Sequence, residues 1–105
     1  MDMNKLLQMG QQMQARMGAI QEELDGREIS ASSGGGMVHA TVDGRGELHG
    51  LTIDPSVVDA QDVEMLEDLV LAAISEAQKK AREAYAEEMK KVSGGLPFPL
   101  KIPGL

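Results

Sequence analysis

A chain of 105 residues with no cysteine and a formal charge of −7 is a single domain that can hold neither a disulfide nor a thiolate metal site. Apolar residues make up 42% but aromatic ones only 2%, so the core must be built from Leu, Val, Ile, Ala and some of the eight Met, with less buried area per residue than a ring-rich core. No run approaches the ~20 apolar residues of a membrane span, and Met1 leads straight into a polar helical pattern, so a soluble cytoplasmic protein without a membrane partner is expected.

The spacing predicts a helix over residues 3–25. Leu6, Met9, Met13, Met17, Ile20 and Leu24 recur at gaps of 3 or 4, one stripe at the helical period, and Gln8, Gln11, Gln12, Gln14 and Gln21 fill much of the remainder. Asp25-Gly26 is a stop signal, with Gly26 suited to a left-handed residue after the helix. The period then changes to two. Strands are expected over 27–33, 37–42 and 47–54, separated by a GGG turn (34–36) and a DGRG turn (43–46). A two- or four-residue loop centred on Gly44-Arg45 sets Val38 opposite Leu51 and Ala40 opposite His49, and gives Val38, Ala40, Val42, Leu51 and Ile53 one shared face.

Pro55 ends the sheet, and Asp59 or Asp62 can cap a second helix running to about Val92. Leu66, Val70, Ile74, Ala77, Ala81, Ala84 and Val92 line one side of it, with Tyr85 and Met89 at the flank. Ser93-Gly94-Gly95 stops this helix. The tail LPFPLKIPGL carries three prolines and reads as an extended segment. The expected fold is therefore α+β, in the order α-β-β-β-α, with one domain over 1–93 and a Gly/Pro-rich apolar tail over 94–105.

Lengths turn this order into a shape. A helix of roughly 30 residues is ~45 Å long, whereas strands of about six residues are ~20 Å long and three of them span only ~15 Å. The helices must overhang the sheet, and overhanging apolar stripes need cover. A symmetric homodimer is the simplest supply, with Met13, Met17, Ile20, Val38, Val42, Leu51, Ile53, Leu66, Val70 and Ile74 as the core and dimer-interface set.

The charges are unevenly placed. Residues 3–21 hold Lys5 and Arg16 and no acid, while 54–68 hold six acids and no base. The stretch QKKAREAYAEEMKK (78–91) carries Lys79, Lys80, Arg82, Lys90 and Lys91, half of the ten basic residues, against Glu83, Glu87 and Glu88. Lys79–Glu83, Lys80–Glu76, Lys91–Glu87 and Lys90–Glu87 have the spacing of helical ion pairs, whereas Arg16 and Arg82 have no acid three or four residues away. Lys79, Lys80, Lys90 and Lys91 are assigned to the side away from Ala77, Ala81 and Ala84. Such a face is either a solvated surface or an edge that meets phosphates.

Little else suggests chemistry. His39 and His49 fall on opposite faces of the hairpin in the register above, which speaks against a shared metal. The acids of 54–68 lack a calcium-loop pattern, and SSGGGM precedes a strand without a Lys-Ser/Thr, unlike a phosphate loop. No Ser, His and Asp arrangement offers a nucleophile. Neither an enzyme nor a cofactor nor a small-molecule substrate is expected. Phe98 among prolines could wedge a base step.

Taken together, MNKLLQMGQQMQARMGAIQEEL, SGGGMVHATVDGRGELHGLTIDPSVV, MLEDLVLAAISEAQKKAREAYAEEM and LPFPLKIPG resemble the YbaB/EbfC family of bacterial nucleoid-associated proteins over about residues 5–103. The resemblance implies a tweezer-like homodimer with projecting helical arms. It also implies binding to double-stranded DNA with altered DNA conformation, in nucleoid organisation and gene regulation, and a place in the cytoplasm and nucleoid. By position it points to Lys5 and Arg16 on the first helix and Lys79, Lys80, Arg82, Lys90 and Lys91 on the second. The −7 charge and the three acids of 79–91 depart from more basic members. The alternative is a dimeric protein-interaction module that uses the Met-rich helix or apolar tail, with DNA contact incidental.

Overall fold

The computed structural model describes residues 2–94, with side chains through Lys91. The 95–105 tail, Phe98, the Gly95 stop and the Val92 position on the apolar stripe lie outside the described residues. The elements run α1 (Met3–Asp25), β1 (Ile29–Ser33), β2 (Val38–Val42), β3 (Leu48–Ile53) and α2 (Val63–Gly94). The α-β-β-β-α order is as expected, with an antiparallel sheet ordered β1-β2-β3.

Helix α1 starts where Asp2 accepts the backbone N–H of Asn4 at 3.3 Å, which satisfies one of the donors left open in a first helical turn. At its other end the expectation for Gly26 fails: its backbone is right-handed, φ −87° and ψ −4°. The reason lies in the tertiary structure. The Leu24 carbonyl accepts from Arg27 N at 3.1 Å and from Gly44 N at 2.8 Å, so no left-handed residue is needed to close the helix.

The strand register also differs from expectation, by two residues: Val38 pairs with Ile53 and Ala40 with Leu51, and the ladder shifts between Thr41 and Val42. The connection is five residues long, Asp43–Glu47, because Asp43 builds it. Its Oδ1 accepts Arg45 N at 2.8 Å and Glu47 N at 3.0 Å, and its N–H donates to the Glu47 carbonyl at 3.0 Å. A slip of two preserves side-chain parity, so Val38, Ala40, Val42, Leu51 and Ile53 still share a face.

Helix α2 is capped by Asp62, whose Oδ1 accepts Met65 N at 3.2 Å, while Asp59 holds the preceding turn through Gln61 N. It lies across β1 and β2. Ala73, Ala77 and Ala81 are almost wholly buried and bring the helix close to Ile29, Ala31, Val38, Ala40 and Val42. Around this centre pack Ile53, Leu69, Val70, Ile74 and Ala84, partly buried. Edge strand β3 leaves Leu51 41% exposed.

Nothing of this kind covers most of α1. Only Leu24 of its residues is buried, and Met3, Leu6, Leu7, Met9 and Met17 are exposed. The molecule measures 70 × 23 × 16 Å, with a radius of gyration of 19.4 Å. A compact chain of this length has a radius of about 13 Å. The long axis also exceeds the ~48 Å of a 32-residue helix, so α1 reaches beyond both α2 and the sheet.

Candidate nucleic-acid interface

The basic stretch begins on the part of α2 that covers the sheet, where Ala81 is buried, and runs on toward the C-terminal end of the helix. Lys79, Arg82 and Lys90 are spaced by 3 and 8, which sets them in one row opposite the buried Ala73, Ala77 and Ala81. All three are exposed, and among the described residues none of them makes an ion pair. Lys79 to Lys90 covers three turns, ~17 Å of helix.

Lys80 and Lys91 do not join that row, contrary to expectation. Lys80 sits three residues after Ala77 and four before Ala84, which places it on the flank beside the buried stripe. There its Nζ donates to the Ser30 carbonyl on β1 at 3.2 Å. Lys91 lies seven residues after Ala84, on the same flank, and pairs with Glu88 at 3.1 Å. The expected pairs of Lys79 with Glu83, Lys80 with Glu76, and Lys90 and Lys91 with Glu87 are absent among the described residues. Glu83, Glu87 and Glu88 instead line a groove with Arg27, Lys80 and Lys91. Three acids meet three bases there, so this groove is electrically balanced, and Glu83 and Glu87 line it without pairing with their helical neighbours Lys79 and Lys90.

On α1, Lys5 and Arg16 are both exposed and lie eleven residues apart, three helical turns. They share one flank of the apolar stripe. On the stripe itself Met13 and Ile20 are half-buried, and Met17 is 41% exposed. Of the remaining interface candidates Val38 and Val42 are fully buried, Leu66 is half-buried, and Ile53, Val70 and Ile74 pack against the core.

The DGRG turn fixes how α1 leaves the sheet. Gly44 N holds the Leu24 carbonyl, Arg45 Nε pairs with Asp25 at 3.2 Å, and Gln78 of α2 donates to the Gly46 carbonyl at 3.1 Å. A side chain at Gly44 has no room, since its Cβ would overlap the Leu24 carbonyl, 2.6 Å from the carbon. From the sequence this segment reads only as a turn. The Asp-Gly signal marks the bend, but nothing local shows that α1 and α2 both fasten to it.

Asp43 also meets His49, Nε2 to Oδ2, at 2.8 Å. The bond to His49 holds the Asp43 carboxyl below its ordinary range, helped by the Glu47 and Arg45 backbone N–H groups against the cost of burial. The same bond raises His49, again against desolvation, with the charges of Asp43, Glu47 and Glu28 assisting. Asp54, which accepts Ser56 N at 2.9 Å after the sheet, is lowered by its bonds to Ser56. Potential ligand atoms of Asp43, Glu47 and His49 lie within 4.8 Å of one another. Both Asp43 oxygens already have partners, so the Asp43–His49 pair acts as a lock on the turn, with the Glu47 carboxylate exposed beside it. His39 is exposed on the face of the sheet away from α2, paired in register with Ser32 and Thr52. No helix of the described residues is long and apolar enough to cross a membrane.

The sequence matches the model of the YbaB/EbfC DNA-binding family over residues 1–96. A nucleoid-associated protein of Gemmatimonas aurantiaca is 48% identical over 103 residues, covering 98% of this chain and 99% of its own. One from Rhodococcus erythropolis is 50% identical over 95 residues, covering 90% of this chain and 85% of its own. The crystal structure of uncharacterized protein HP0035 from Helicobacter pylori matches the fold with a TM-score of 0.77 at 26% identity, over 87% of this chain and 96% of that one.

Proposed function

The chain belongs to the YbaB/EbfC DNA-binding family, and from that membership we propose that it is a nucleoid-associated protein that binds double-stranded DNA as a homodimer, largely through phosphates, and so shapes the nucleoid and gene expression. The observation that carries the phosphate reading is the sorting of charge on α2. Glu83, Glu87 and Glu88 line a groove with Arg27, Lys80 and Lys91, whereas Lys79, Arg82 and Lys90 are exposed and make no ion pair among the described residues, although Glu83 and Glu87 neighbour them on the helix. A chain of net charge −7 can thereby present a local cationic strip to a polyanion. Lys5 and Arg16 on α1 add two further exposed cations.

The homodimer reading is supported by apolar surface that the protomer leaves open. The α1 stripe is apolar yet only Leu24 on it is buried, and Leu51 on edge strand β3 shares a face with buried Ala40 yet is 41% exposed. Two protomers double the strip, and each phosphate that a cation neutralises adds about 0.9 to the slope of log affinity against log salt.

The test is a pair of solution measurements: molecular mass by light scattering, and binding to duplexes of unrelated sequence by fluorescence anisotropy over a range of salt. The proposal expects twice the protomer mass and an affinity for every duplex that falls steadily with salt. Affinity equal at about 50 and 300 mM salt contradicts phosphate contact, and a protomer mass removes the dimer.

A further inference from the structure

The outward side of α1 differs in kind from every other helical surface of this protein. Opposite the apolar stripe, Asn4, Gln8, Gln11 and Ala15 follow one another at gaps of 4, 3 and 4, with Gln12 beside them, and all are exposed. From residue 3 to 21 this helix has no acid, and Lys5 and Arg16 flank the amide row. The solvated surface of α2 is instead made of Glu64, Glu67, Asp68, Glu76 and the basic stretch. A helix that only needs water could use charged residues, as α2 does; uncharged amides offer both a donor and an acceptor without repelling phosphate.

We propose that the amide row of α1, centred on Gln8 and Gln11, lies in the DNA major groove and reads base edges there, favouring A·T pairs. This rests on the DNA-binding reading above and adds a sequence preference to it. The major groove is about 12 Å wide and admits one α-helix, and a Gln side chain can pair in bidentate fashion with adenine N6 and N7. Helix α1 is free to enter, because only its Leu24 end is buried and the rest projects from the body. Gln21, nearest the body, donates to Asp25 at 3.0 Å, whereas among the described residues the Gln8, Gln11 and Gln12 amides have no partner. Lys5 and Arg16, three turns apart on one flank, would hold phosphates along one strand while the amides between them reach the bases.

The experiment compares duplexes of equal length and mixed sequence made from A·T, G·C or inosine·C pairs. Inosine lacks the guanine 2-amino group, so I·C matches A·T in the minor groove and G·C in the major groove. The expected result is A·T binding about five-fold tighter than both I·C and G·C, the low end for one good amide–adenine pair. Gln8→Ala/Gln11→Ala should abolish that preference and leave the salt slope unchanged; both sites are exposed and Ala favours helix, with circular dichroism confirming the fold. Equal affinity for A·T and I·C, or a preference that survives the double substitution, overturns the inference while duplex binding itself stands. Failure to bind any duplex overturns both this and the DNA reading beneath it.

Discussion

Gly44 gives its backbone N–H to the carbonyl of Leu24 at 2.8 Å, and through that bond the β2–β3 turn sets the direction of a 23-residue helix. The bond requires the absence of a side chain, because a Cβ on Gly44 would collide with the same carbonyl group. Backbone cannot rotate out of the way as a side-chain tip can. Gly44→Ala should therefore destabilise by about 1–3 kcal/mol, the range of overpacked cores. Urea unfolding checks it, and a loss below about 0.5 kcal/mol contradicts the close approach.

Gly18 gives the opposite sign. It is in the middle of α1, and a Cβ there would have nothing within 4 Å. Gly18→Ala lowers the entropy cost of helix formation and should stabilise by roughly 0.5–1 kcal/mol. A destabilised variant in the same unfolding assay would show that this side of α1 is covered.

The Asp43–His49 pair makes stability depend on pH. The folded state raises His49, so its contribution is complete below the ordinary 6.5 and disappears as pH rises through the raised value. The folded state lowers Asp43, so its contribution is present above the ordinary 3.8 and disappears as pH falls through the lowered value. Both act together between 3.8 and 6.5. The stability difference between wild type and His49→Gln should be largest at mildly acidic pH and shrink on the alkaline side. A difference that does not shrink as pH rises from mildly acidic values through the raised His49 value contradicts the pairing.

Leu51 tests how the open sheet edge is used. It is 41% exposed although it pairs in register with fully buried Ala40. If a second copy covers it, Leu51→Glu should shift the solution mass toward the protomer while the far-ultraviolet circular dichroism stays unchanged. A variant that keeps the wild-type mass argues for another cover on this strand.

Much of this architecture is legible in the sequence. The α1 stripe from Leu6 to Leu24 marks its helix by gaps of 3 and 4 although most of it stays exposed, and the alternation of Val38, Ala40 and Val42 marks β2, where burial on one face imposes the period. The register differs by two since Asp43 closes a five-residue connection with its side chain, which residue type alone does not disclose. Parity hides the slip by leaving the core set unchanged. Lys80 and Lys91 sit apart from Lys79 and Lys90, and their spacing from Ala77 and Ala84 already puts them on the flank, a signal that the expected outer-face grouping overlooks. What spacing could not supply is the Ser30 carbonyl fifty residues away, or the groove that Arg27 lines together with the acids of α2.

The most direct test of the central claim compares two substitutions of α2 in duplex binding as a function of salt. Lys79→Ala/Arg82→Ala/Lys90→Ala removes the outward row, and Lys80→Ala/Lys91→Ala removes the flank. The first should weaken binding to all sequences and lower the salt slope by about 0.9 for each phosphate no longer neutralised, and the second should leave the slope near wild type. Equal weakening by both variants, or none by the first, would contradict a phosphate grip built on the outer face of α2.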